Sequence, residues 1–260
     1  MQTRHQVETW VQPSRMNARL GFVGLPGFPL GGRKGAAALQ RKLDVLPARR
    51  QSVMCLGGTA AATQEVKTTL LSEIEAVGPD RGIFGLDSGI RGKIDGLLRD
   101  LEKRCPYEKT TSVIDEVVAG EWRVIYTTLT ILGSRRAKLA LATATKPGFV
   151  ELGELYQYIN TDAQKASNVV EFFVMNVSGT FTVDAAYEVE SDQRVAVKFL
   201  QSELKPSGLQ KLLGNNINLL TQIFNPEGHL DITYVDENLR IGRDHKEEVF
   251  VLVRVPAEES

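Results

Sequence analysis

GEWRVIYTTLTIL, from Gly120 to Leu132, decides how the rest of the chain is read. A glycine, one free position and a tryptophan lead into a run where Trp122, Val124 and Tyr126 on even positions and Ile125, Leu129 and Ile131 on odd ones are apolar. Val124, Ile125, Thr127, Thr128 and Thr130 add a dense set of β-branched side chains. Such a composition specifies a strand, because branched and aromatic side chains pack well on a pleated surface. Gly120 lets the backbone turn sharply or be closely approached. Trp122 is large enough to plug one end of a small barrel.

Short strands follow at close spacing: Phe149 to Tyr158, Asn168 to Val177, Thr180 to Val189 and Arg194 to Leu200. That spacing predicts an antiparallel meander. The clearest alternation is TFTVDAAYEVE, where Phe181, Val183, Ala185, Tyr187 and Val189 form one face; the next strand continues it with Val195, Val197 and Phe199. NVVEFFVMNV is apolar on both faces apart from Glu171, which predicts that a helix covers its outside. LQKLLGNNINLLTQIF has a helix-like period broken at Gly214-Asn215-Asn216 and reads as a lid or a plug. NPEG at 225 to 228 then turns the chain into three closing strands.

Upstream, Val66, Leu70, Ile74 and Val77 give one amphipathic helix stopped by Gly78-Pro79. Ile90, Ile94, Leu97, Leu98 and Leu101 give a second, ended by Pro106. Both stripes are expected to pack on the outside or base of the barrel. Residues 1 to 55 differ in kind. They hold nine of the 31 basic residues but only two of the 32 acids, scattered among Gly, Pro and Ala without a period, and so read as an organelle-targeting segment, with 56–260 as one domain. The body left behind is acidic, which excludes nucleic acid as a partner. His5, His229 and His245 show no metal-ligand spacing, and Asp244-His245 reads as a solvated turn. Gly133-Ser134 reads as a turn, and the cluster Arg135, Arg136, Lys138 after it as either a solvated loop or a site for a diphosphate or an acidic partner face.

The G-x-W entrance resembles the lipocalins. LEKRCP, GEWRVIYTT, FNPEG, LDITYVDENLRIGRD and VFVLVR, in this order over residues 64 to 256, resemble the plastid lipid-associated proteins or plant fibrillins, the PAP/fibrillin family. TILGSRRAKLAL and IFNPEGHLDITYVD look like its fibrillin 5 subgroup. Two places depart from the family pattern: Cys105 stands where Asn is common, and Glu247-Glu248 where Gly-Asn is common, which puts the last hairpin turn in question.

The resemblance implies a mainly β fold, a lipocalin-like antiparallel barrel with two N-terminal helices and a helical insertion before the closing strands. It also implies a plastid location, with residues 1–55 as transit peptide and the mature protein in the stroma or at plastoglobules and thylakoids. For the fibrillin 5 subgroup it implies binding to solanesyl diphosphate synthase in support of plastoquinone synthesis. Alternation, with the first strand's phase taken from the lipocalin tryptophan, places Trp122, Tyr126, Phe181, Tyr187, Phe199 and Tyr234 around an interior that either holds an isoprenoid or other apolar molecule or is simply packed. The inward positions carry no Asp, Glu, His or Lys, so no enzyme, cofactor or metal is expected. Arg135, Arg136 and Lys138, with Arg240 and Arg243 in the closing strands, are expected to form the partner-binding patch, since first and last strands adjoin in a closed meander. A late arginine, Arg240, Arg243 or Arg254, is expected over Trp122. The alternative to a carrier or scaffold is a structural coat of plastoglobules and thylakoid lipid bodies.

Overall fold

Alternating strands bury one face only if the sheet closes or is covered, and this chain does both. The computed structural model describes residues 57–141, 148–174, 177–209 and 216–256; the segment 1–55 read as a transit peptide lies outside them. Two helices come first, α1 (Gly57–Val77) and α2 (Ser88–Glu102). A 3₁₀ turn (Thr110–Val113) and a π turn (Ile114–Val118) lead into β1 (Gly120–Thr127). After α3 (Gly133–Leu139) come β2 (Val150–Asn160), β3 (Lys165–Val174), β4 (Val177–Val189) and β5 (Arg194–Lys205). Helix α4 (Asn216–Phe224) precedes β6 (Gly228–Val235), β7 (Leu239–Asp244) and β8 (Val249–Arg254). Every strand pairs antiparallel with its sequence neighbour, and β8 returns to β1 to close an eight-stranded barrel.

Gly120 shows why the G-x-W entrance begins with glycine. Its φ is +111°, and a Cβ there would come 3.1 Å from Nη1 of Arg254. A side chain would be strained twice, by backbone and by contact.

Two apolar layers result. Inside, Trp122, Val124, Leu155, Val170, Phe181, Val183 and Leu252 form the barrel core, joined by Leu220 and Ile223 of α4. Outside, Leu70 and Ile74 of α1 and Ile94, Leu98 and Leu101 of α2 lie on Tyr126, Tyr234, Leu239, Ile241, Val249 and Val251. The helices therefore cover β1 and β6 to β8; among the described residues no β3 residue packs beneath them, and Phe173 on its outer face is 44% exposed. That corrects the expectation that a helix shields β3. Ile90, assigned to the α2 stripe, is exposed as well.

Other differences follow from context. Strand β5 runs five residues past Leu200, because its polar end still pairs with β4 and buries Leu204. The cluster Arg135, Arg136, Lys138 sits on α3 instead of an irregular loop. Of the interrupted helical segment, residues 210–215 are outside the description and α4 supplies the plug.

The last hairpin turn survives its missing glycine. Glu247 takes φ +60°, while the Asp244 carboxylate accepts from the backbone N–H of Lys246 (2.8 Å) and Glu248 (2.9 Å). A left-handed conformation costs a residue with a Cβ about 1–2 kcal/mol, partly offset by the entropy glycine loses on folding. Glu247→Gly is therefore expected to stabilise the protein by about 0.5–1 kcal/mol, read as a raised urea midpoint at constant m-value. An unchanged or lowered midpoint would show that the strain is relieved elsewhere.

Candidate functional site

Trp122 lies at the barrel end closed by the π turn. Its Nε1 donates to the carbonyl of Val118 at 2.8 Å, and the ring is fully buried. Two guanidinium groups lie over it, Arg254 with Cζ 4.3 Å and Arg240 with Cζ 4.9 Å from the ring centre. Arg254 fastens the closure: Nη1 donates to the Ala119 carbonyl at 2.9 Å, Nε to the Glu237 carbonyl at 2.6 Å, and Nη2 to the Val117 carbonyl. Its positive charge satisfies the backbone acceptors where chain entry and exit meet. Ile114, Val117 and Val118 then seal this end against Val195, Ile232 and Val235.

Above this floor the barrel holds a cavity of about 160 Å³. Its walls are mostly apolar, with Val124, Leu155, Val170, Ile223, Phe250 and Leu252 among them. Polar groups enter at two levels. Near the closed end are Arg240, Gln157 and Asn168: Arg240 donates to Oε1 of Gln157, whose Nε2 donates to Oδ1 of Asn168 at 2.7 Å. At the opposite end stand His229, Asp244, His245, Lys246 and Glu248. The two imidazoles meet edge to face, 6.1 Å between centres, because pairing of Leu230 with Asp244 brings the flanking residues together. Gly228 takes φ +133°, and a Cβ there would lie 2.4 Å from Nδ1 of His245.

Arg240 is 2% exposed. Burial first, and then the charge of Arg254, pull its pKa down to about 9, so it is still a cation at neutral pH. Burial lowers Arg254 as well, against an opposing pull from Glu237.

The six aromatics expected around one interior are divided by the structure. Trp122 and Phe181 belong to the barrel core, Phe199 packs against it, and Tyr187 lines the cavity. Tyr126 and Tyr234 lie on the outside beneath α1 and α2. The reason is the same for both. A register shift between Val124 and Tyr126 on β1, and another between Ile232 and Tyr234 on β6, insert one residue each and reverse the side-chain phase beyond it.

The expected cationic patch is divided too. Arg240 is interior, and Arg243 is a bidentate partner of Glu102 on α2 (2.8 and 3.1 Å), so neither forms a surface patch with Arg135, Arg136 and Lys138. On α3, Arg135 and Lys138 are exposed, and Arg136 lies over the Phe84 ring at 5.2 Å.

The expectation that inward positions carry no Asp, Glu, His or Lys is corrected at the end opposite Trp122, where His229, Asp244, His245, Lys246 and Glu248 line the cavity; sequence reasoning missed Gln157 and Asn168 as well. Residues facing each other across a hairpin, such as Gln157 and Asn168, become visible only when the register is known.

The PAP_fibrillin family matches residues 64–253, from within α1 to β8. The probable plastid-lipid-associated protein 5, chloroplastic, of Arabidopsis thaliana is 32% identical over 196 residues, 75% of this chain and 71% of that one. The plastid lipid-associated protein 1, chloroplastic, of Brassica campestris is 26% identical over 234 residues, 75% and 68% of the two chains. Plastoglobulin-1, chloroplastic, of Pisum sativum is 27% identical over 143 residues, 54% of this chain and 37% of its own. With a family match that runs from within α1 into β8, this chain belongs to the PAP/fibrillin family.

Proposed function

We propose that this protein is a non-enzymatic lipid-binding protein of the chloroplast, which holds part of a prenyl lipid in its barrel and serves as carrier or scaffold for solanesyl diphosphate synthase in plastoquinone biosynthesis. The cavity is the observation that carries this reading. An apolar space with a few placed polar groups is what a small-molecule site requires. Its 160 Å³ resembles a void of about 150 Å³ that takes a benzene-sized guest, so the barrel holds a ring or a few isoprene carbons, with the rest of a long chain outside. Names of relatives that include "plastid lipid-associated" and "chloroplastic" support the compartment and the ligand class. Residues 1–55 are then the transit segment, as their basic composition suggests.

The partner surface is assigned to α3, whose Arg135 and Lys138 face solvent. Arg135→Glu with Lys138→Glu is expected to weaken capture of solanesyl diphosphate synthase and to leave stability within about 0.5 kcal/mol, because both side chains are exposed. A pull-down beside a thermal melt checks this. Undiminished capture removes α3 from the interface, and no capture by the unmutated protein removes the scaffold role.

One observation favours a second reading, a structural coat of plastoglobules. Phe149, Phe173 and Val177 are exposed at one end of the barrel, where β2 and β4 begin and β3 ends. Phe149→Ser with Phe173→Ser is expected to abolish flotation with vesicles of plastid galactolipids if that reading holds, and to leave it unchanged otherwise.

A further inference from the structure

A buried cation needs an anion or a dense set of acceptors, and Arg240 has neither. Among the described residues no carboxylate pairs with it, and its hydrogen bonding is the single contact to Gln157. The guanidinium has five N–H groups. Only Nη2 has an acceptor among the described residues, and the side chain lies between the Trp122 ring, 4.9 Å from its Cζ, and the cavity it lines. The neighbouring Arg254 is committed to three backbone carbonyls and is not a competitor for a ligand.

We propose that Arg240, with Gln157 and Asn168 beside it, is a head-group site that takes the carboxylate of a single-chain lipid acid. The inference rests on the reading of the barrel as a lipid-binding module and adds a second ligand class beside the prenyl lipid, with its direction in the barrel. Direction follows from position. Arg240 pairs with Val235 and Leu252 near the floor sealed by Ile114 and Val118, so the carboxylate sits deep and the hydrocarbon chain runs toward His229 and His245 at the other end. Charge selects the head group. One cation balances one negative charge, whereas a diphosphate would bring several into a space with a single buried partner. Shape selects it too, because the planar guanidinium fork matches a planar carboxylate with two parallel N–H···O bonds. The lowered pKa of Arg240 agrees with a cation whose counter-charge arrives with the ligand.

The test uses the full chain carrying Trp10→Phe, which leaves Trp122, stacked under Arg240, as the one tryptophan of the two in the sequence. Decanoate and 1-decanol, of equal chain length, are titrated at pH 7 by calorimetry and by Trp122 emission, with solanesol as a third probe. Decanoate is expected to bind roughly tenfold or more tightly than decanol, and Arg240→Met to bind the two alike. Equal affinity of the unmutated protein for decanoate and decanol overturns the proposal, as does preference for decanoate that survives in Arg240→Met. The unmutated comparison decides even where Arg240→Met does not fold. Binding of solanesol without decanoate removes the carboxylate site and leaves the lipid-binding function standing; failure of all three probes removes both.

Discussion

Trp122→Ala is expected to destabilise the protein by about 3–5 kcal/mol, the range for removing a large aromatic side chain from a packed interior. Three losses coincide. The ring is fully buried in the barrel core, its Nε1–H is the partner of the Val118 carbonyl, and its face carries both Arg240 and Arg254. Removing the ring leaves two partly desolvated cations facing a void, each forfeiting a cation–π contact of about 0.5–2 kcal/mol. Trp122→Phe keeps most of the stack and loses the hydrogen bond, so about 1–2 kcal/mol is expected for it. Urea unfolding of both variants separates packing from hydrogen bonding. A loss under about 1 kcal/mol for Trp122→Ala would show that the barrel end is held by the π turn and Arg254 alone.

Asp236→Ala is expected to cost about 2–4 kcal/mol, because one carboxylate ties a helix to the barrel and removal strands four donors, three of them part-buried. It accepts from Nζ of Lys67 on α1 (2.7 Å), from the Tyr234 hydroxyl (2.7 Å) and from the backbone N–H of Asn238 and Leu239 (both 2.8 Å). Lys67 and Asp236 keep some solvent exposure, which places the figure below that of a fully buried pair. Burial pushes the Asp236 carboxyl upward, but the hydrogen bonds from Lys67, Tyr234 and Asn238 together hold it below the ordinary carboxylate value. The same residue sends the Tyr234 hydroxyl upward, where burial is the larger cause and the Asp236 bond adds to it.

The sign of the pH dependence follows. A carboxylate with a depressed folded pKa stabilises fully above the unfolded value of about 3.9, and that contribution disappears as pH falls through the folded value. The stability difference between the unmutated protein and Asp236→Ala is therefore expected to be constant from neutral pH down to about 5 and to shrink as the solution is acidified below about 4. A difference that stays constant into acid would show that the ionised form of Asp236 contributes nothing to stability, neither through Lys67 nor through the turn N–H groups.

The β fold was legible along the chain because most strands keep a regular period. TFTVDAAYEVE buries Phe181, Val183 and Ala185 as its alternation indicates, and the stripes of α1 and α2 bury Leu70, Ile74, Ile94, Leu98 and Leu101. The motif order from LEKRCP to VFVLVR likewise carried the family. Some of those residues have explicit work: Glu102 of LEKRCP holds Arg243 and Thr233, and Gly120 admits Arg254.

What alternation alone cannot decide is which face is inside where both faces are covered. From the sequence, Arg240 is expected either in a surface patch with Arg243 or over Trp122. Folding settles it for the second, because α1 and α2 bury Leu239 and Ile241 from outside and leave Arg240 to the interior, over Trp122. Tyr126 and Tyr234 cross to the outer layer for a related reason, since a bulge changes the phase without altering the composition of the strand. Gln157 with Asn168, and His229 with His245, meet only through strand register. By itself the sequence determined the barrel, its helices and its family, all properties of local period and motif order. The resemblance also placed a late arginine over Trp122, as Arg240 and Arg254 lie; only the tertiary structure decided that Arg240 lines the cavity and Arg243 binds Glu102, because the inward face of a covered strand is set by what packs on its other side.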